Sequence, residues 1–148
     1  MNVIEFRVIP TETATKTAPG IAILIDGTPL QALARAVELP FATTEDAPDL
    51  AGDYANLTDP EIFWPSHHFL DDPRLTWPND PPTTVLLGCP CGDWGCWPLS
   101  TDVHLTPETV TWSNFRNSHR PHWNLAPLGP FTFARAQYET ALHQTGPA

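Results

Sequence analysis

Basic residues are the scarcest chemical class in this chain. Seven Lys and Arg stand against seventeen Asp and Glu in 148 residues, a formal net charge of −10. Nucleic-acid binding draws its affinity from Lys and Arg set against phosphates, so a chain without a basic cluster has no such footprint. The same acidity repels anionic lipid surfaces. Long apolar runs are missing too, since no stretch approaches the roughly 18 residues of a membrane-spanning helix. The opening MNVIEFRVIP alternates like a strand and lacks a basic region ahead of an apolar run, so it does not read as a secretion signal. Cysteine is sparse and odd in number: three, confined between Cys89 and Cys96. That is no secreted disulfide framework, and it fits reduced thiols or metal ligands in a cytoplasm.

Bulky aromatic residues are plentiful by comparison. Six Trp, seven Phe and two Tyr supply core material, which argues against disorder throughout. The length suits one domain over residues 1–148. Residues 3–9 read as a strand, with Ile4, Phe6 and Val8 on one face. Residues 21–25 are continuously apolar and β-branched, a buried second strand ended by the turn pair Asp26-Gly27. Thr28, Pro29 and Gln31 form a capping box, which predicts a helix carrying Leu30, Leu33, Ala34 and Val37 on one face and stopping at Pro40.

Residues 40–82 change character. They hold eight prolines and nine carboxylates against one Arg. A helical turn within 61–70 is expected, and the remainder reads as irregular. Phe63, Trp64, Phe69 and Trp77 predict that this acidic segment packs onto the core and turns its carboxylates outward. His67 and His68 read as surface loop residues, and Asp71-Asp72 as a solvated turn. Order resumes with three predicted strands at 83–91, 96–104 and 109–115, then a closing helix over 132–144. The expected class is α+β: an antiparallel sheet, made of the N-terminal strand pair and a three-stranded meander, covered by two main helices and the long Pro-rich acidic loop.

The one constellation with metal chemistry is CPCGDWGCWP, residues 89–98. A four-residue hairpin turn sets Cys91 across from Cys96, and Cys89 shares the strand face of Cys91, so three sulfurs converge. Zinc takes four Cys or His ligands in a tetrahedron, and His119 is the candidate fourth, ahead of His122 and His104. Two alternatives stand beside this site. The thiols are small buried apolar groups, or one of them is a nucleophile served by His119 or His122 with Asp93 or Asp102 as orienting group. Trp94 sits at the turn tip, either as a binding anchor or folded over the hairpin. Trp97 and Trp112 read as core.

The runs LLGCPCGDWGCWPL, VTWSNF and GPFTFARAQYETAL, with IDGTPL, VELPFA and LAGDYANL, resemble a group of short uncharacterised bacterial proteins that share a C-x-C-G-x-x-G-C-W-P motif. The resemblance implies a bacterial cytoplasmic protein and assigns no catalytic residue.

The functional expectation that follows is a small non-enzymatic binding or immunity-type protein. It would meet a basic partner through its acidic surface, with Asp46, Asp49, Asp53 and Trp94 as contact residues. The alternative is a Cys-dependent or zinc-dependent enzyme built on the cysteine hairpin.

Overall fold

The computed structural model describes residues 1–77 and 83–147. The last five residues of the acidic segment, 78–82, therefore lie outside the described residues. Strands β1 (Ile4–Glu12) and β2 (Thr17–Ile25) pair antiparallel over their full length, from Ile4 opposite Ile25 to Glu12 opposite Thr17. Asp26 and Gly27 both take positive φ, 52° and 83°. That geometry is a two-residue turn whose twist matches the flanking strands, so it returns the chain onto β2.

The turn overrides the predicted cap. Thr28 and Pro29 form β3, paired with Ile25 and Leu24, and the helix α1 (Leu30–Thr44) starts from Pro29 with no side-chain cap. Nor does the helix stop at Pro40, which lies inside it. The carbonyl deprived of a partner belongs to Ala36 on the exposed side, where water can serve it. The turn beyond is held by buried Ala42 and by Phe41, stacked on Trp123 at 6.3 Å.

After α1 the acidic segment is irregular, as expected, but pinned. It contains the two-residue strand β4 (Ala55–Asn56) and single 3-10 turns at Pro48–Leu50 and Pro60–Ile62. Of the predicted helical turn within 61–70, only the latter forms. Tyr54, Leu57, Ile62, Phe69, Leu70 and Leu75 are buried, with Phe63 and Trp64 partly buried against them. Strands β5 (Thr84–Gly88), β6 (Leu99–Leu105), β7 (Thr109–Asn117) and β8 (Phe131–Ala134) follow, and α2 (Arg135–His143) closes the chain.

The class is α+β, but the strands form two sheets. One is three-stranded, β1-β2-β3; the other is five-stranded, β4-β5-β6-β7-β8. The meander gains β8 because residues 131–134, of which 132–134 are predicted in the closing helix, pair with β7 instead. The two sheets touch where Ile21 donates its N–H to the Leu57 carbonyl (3.0 Å) and where Asn2 bridges Phe133. Between them lies an aromatic core. Phe6 meets Phe69, Trp112 and Tyr138 at ring separations of 5.0, 6.4 and 5.5 Å, and Trp112 meets Phe133 at 5.3 Å. Trp112 is core as predicted. No helix among the described residues is long and apolar enough to cross a membrane.

His68 overturns its surface reading: it is fully buried. Its Nε2–H donates to the Val85 carbonyl at 2.7 Å, while Nδ1 accepts from the N–H groups of Arg74 (3.0 Å) and Leu75 (3.4 Å). Only the neutral ring can do both, and it ties the acidic segment to β5. Burial lowers its pKa from 6.5 to about 4. The unfolded chain takes the proton near pH 6.5 and the folded chain only near 4, so this contribution to stability is present at neutral pH and lost as pH falls through that window. The loss should be on the order of 3 kcal/mol. Urea unfolding from pH 7.5 to 4.5, compared between the native chain and His68→Gln, should show the steeper acid loss only in the native chain.

Candidate metal centre in the loop between β5 and β6

Strand β5 is TVLLG, buried at every position. It ends at Gly88 because Trp94 folds back onto it: a Cβ at position 88 would lie 2.7 Å from the Trp94 Cβ and 2.8 Å from its Cα. The loop then makes two turns. Gly92 N–H donates to the Cys89 carbonyl (3.1 Å), with Gly92 at φ 102°. Cys96 N–H donates to the Asp93 carbonyl (3.1 Å) to close the 3-10 turn Trp94–Cys96, and the Asp93 carboxylate accepts from Gly95 N–H (3.1 Å). Ala14 N–H donates to the Pro90 carbonyl at 2.9 Å, which docks the loop against the tip of the β1–β2 hairpin.

These turns bring the sulfurs of Cys89, Cys91 and Cys96 within 4.8 Å of one another. The convergence matches the sequence reading, but its cause does not. Strand pairing between β5 and β6 begins at Leu87 and Leu99, so no cysteine belongs to a strand, and the loop's own turns gather the thiols. They are not buried apolar groups either: Cys89 and Cys91 are half-buried and Cys96 is exposed.

Backbone amides point at two of the sulfurs. Cys91 N–H donates to Cys89 Sγ and Asp93 N–H to Cys91 Sγ, each at 3.4 Å. The hydrogen bonding around Asp93 draws the Cys91 thiol below its usual range, whereas burial pushes Cys89 up to about 11 and the neighbouring Cys91 sulfur pushes Cys96 up. Cys91 is therefore the thiol that ionises first, with protonated neighbours on either side. Two sulfurs sharing a zinc in a tetrahedron sit roughly 3.8 Å apart, so shifts of about an ångström would close the group on an ion.

His119 reaches the same loop but not the sulfurs. Its Nε2 donates to the Gly95 carbonyl at 2.9 Å, and its ring lies parallel to Trp97 at 6.4 Å. Among the described residues no His nitrogen or carboxylate joins the three thiols. His122 faces Glu45 at 3.5 Å, and His104 is exposed on β6. Of the two orienting groups considered for a nucleophilic thiol, Asp102 accepts from Asn114 (2.8 Å) and Arg116 (3.2 Å), and Asp93 accepts from Gly95 N–H (3.1 Å). The cavity that touches Cys89, shared with Thr13, Asn56 and Trp94, measures about 10 Å³, room for one water at most.

Trp94 is half-buried over Gly88, which favours its folded-over alternative. Trp97 is half-buried, not core. The Arg120 guanidinium lies 5.1 Å above its ring and 5.8 Å from that of Trp123. Glu45 binds both Arg120 (3.0 Å) and the Trp123 indole N–H (2.5 Å). Burial raises the Glu45 pKa, but those two donors outweigh it and hold the carboxyl low. Asp46, Asp49 and Asp53 are exposed, as predicted.

Sequence reasoning missed Glu38, which is fully buried on α1. It accepts from the Tyr54 hydroxyl (2.5 Å) and from Gly52 N–H (2.8 Å), and burial raises its pKa. The signal was available: Leu30, Ala34, Glu38 and Ala42 are spaced by four along one stripe.

Comparison with models of known protein families, with curated proteins and with solved structures finds no match to this chain.

A Gly88→Ala change would force Trp94 off β5 and carry the loop with it. The expected cost is about 1 to 3 kcal/mol of stability. Thermal unfolding together with titration of the Cys91 thiol should register both the lost packing and the disturbed loop.

Proposed function

We propose that this protein is a small binding domain whose loop 89–96 holds one thiophilic metal ion, zinc in the first instance. The observation that carries the reading is the convergence of Cys89, Cys91 and Cys96 within 4.8 Å, with backbone N–H groups already directed at two of the sulfurs. Thiolate ligands suit zinc and other soft ions. The ligands are Cys89, Cys91 and Cys96. The fourth position is open to water or to a donor from outside the chain, since the His119 ring serves Gly95. Three protein ligands also describe catalytic zinc, but among the described residues the pocket at Cys89, about 10 Å³, holds one water at most. A binding role therefore fits the geometry better than an enzymatic one.

Protein purified without chelator should carry about one equivalent of zinc. Cobalt substitution should give the intense near-ultraviolet absorption of thiolate ligation, and chelation should lower the melting temperature. Binding should weaken as pH falls, because all three thiols must give up their protons to bind the ion. Cys91→Ser should abolish binding, and His119→Ala should leave affinity within a few-fold. Loss of the metal in the histidine variant would instead make His119 the fourth ligand. Metal-free protein that takes up neither ion would end the proposal.

The acidic segment supports a second reading, a docking surface for a basic protein. Asp46, Asp49 and Asp53 point outward while Tyr54, Ile62 and Phe69 pin the segment from beneath. An outward-facing negative field accelerates encounter with a positive partner, and salt screens it over a Debye length of about 8 Å at physiological ionic strength. Combining Asp46→Asn, Asp49→Asn and Asp53→Asn should slow association with such a partner roughly tenfold at low salt and barely alter dissociation. Stopped-flow rates indifferent to both salt and the triple change would reduce the segment to a solubility device.

A further inference from the structure

The four large apolar side chains exposed among the described residues all lie at the start of the chain: Met1, Val3, Val8 and Ile9. Three of them flank or belong to β1, the outermost strand of its sheet. Asp26 N–H donates to the Val3 carbonyl and Thr13 N–H to the Lys16 carbonyl. Alternate residues of an antiparallel strand bond to the same side, so the odd-numbered residues of β1 face β2 and the even-numbered ones face outward.

The outward edge can be followed residue by residue. Asn2 N–H is taken by the Thr132 carbonyl at 2.8 Å. Ile4 is taken by a side chain acting as a strand: its N–H donates to Gln137 Oε1 (3.1 Å) and its carbonyl accepts from Gln137 Nε2 (2.7 Å). Phe6 and Val8 have no outward partner among the described residues. Pro10 has no N–H to offer. A cleft of about 860 Å³ runs along this edge, with residues 4–9 on one wall and Ala136 and Thr140 of α2, with Gln144 just past its end, on the other. Six consecutive residues line it because an edge, unlike a face, presents every residue in turn.

We propose that this edge pairs with the same edge of a second copy, antiparallel and centred on Phe6. In that register Phe6 faces Phe6 and Ile4 faces Val8 of the second copy, whose backbone takes the place of the Gln137 amide. Asn2, already bonded, faces Pro10, which lacks the donor. The charges also match themselves. Glu5 and Arg7, both on the outer face and paired within one chain at 2.6 Å, come to lie opposite Arg7 and Glu5 of the second copy, giving two cross-strand pairs. Val8, 42% exposed in the single chain, gains cover from the second copy. The exposed residues Ala136 and Thr140, spaced by four on α2, have short enough side chains for two such helices to run side by side over the joined sheet. The product is a two-fold dimer with one continuous six-stranded sheet.

The test uses the full chain at physiological salt, where screening confines the mutual repulsion of two acidic molecules to short range. Sedimentation equilibrium from low to hundreds of micromolar should show a monomer–dimer equilibrium. Hydrogen exchange at the Phe6 and Val8 amides should slow as concentration rises. Val8→Pro removes an outward donor that the single chain does not use, so the fold should persist while the dissociation constant rises about tenfold or more. Glu5→Arg and Arg7→Glu should each weaken self-association, and mixing the two variants should restore a dimer of one with the other, since their charges then complement. A chain that stays monomeric across the range would overturn the proposal. So would a dimer indifferent to Val8→Pro, or single-charge variants that fail to combine.

Discussion

One buried hydroxyl joins three parts of the chain. Tyr138 Oη accepts from the Trp112 indole N–H at 3.2 Å and donates to the Phe69 carbonyl at 2.6 Å. In this way the closing helix, strand β7 of the larger sheet and the acidic segment meet at one atom. A buried donor or acceptor left unpaired costs about 1 to 3 kcal/mol, so each of the three elements is held to the position that satisfies the other two. The rings around this point, from Phe6, Phe69, Trp112, Phe133 and Tyr138, are set edge-on or tilted. Such pairs add about 0.5 to 1.5 kcal/mol each beyond burial. The junction is one of the contacts that place the acidic segment against the two sheets.

Two buried ionisable groups hold the same segment, each to a different element. His68 holds it to β5 through a ring that must stay neutral, and Glu38 reaches from α1 to Gly52 and Tyr54. The Tyr54 hydroxyl also accepts from the Asn117 side-chain amide at 3.2 Å, at the end of β7. A stretch with little regular structure is therefore fixed by polar contacts added to its buried apolar residues and the short β4–β5 ladder. This leaves Asp46, Asp49 and Asp53 exposed.

The cysteine loop depends on a separate set of constraints. Gly88 admits Trp94, and Gly92 admits the hairpin tip, where an added Cβ would come within 2.1 Å of Thr15 Oγ1. With Ala14 bonded to Pro90, the loop is clamped between a buried strand and the far end of β1–β2. The thiols are thus preorganised by backbone that belongs to both sheets, and an ion bound there would join the two through one loop.

Composition and local pattern by themselves settled the class of fold, the first two strands, the helix after the first turn and the meander, because each rests on periodicity within a few residues. They also anticipated that three sulfurs would converge, but through strand pairing, whereas the turns of the loop gather them. Everything that went astray in the reading turned on competition between local and distant contacts. Thr28 had a capping pattern, yet pairing with Ile25 was stronger; residues 131–134 had helical spacing, yet β7 had an open edge. Pro40 did not end its helix because Ala42 and Phe41 beyond it had a core to pack on. His68 and Glu38 could not be placed from sequence, since a polar residue is buried only where distant groups complete its hydrogen bonds. His119 was drawn to the right loop, but the choice between the Gly95 carbonyl and a shared ion is made by where β7 delivers its ring, which only the assembled sheets decide.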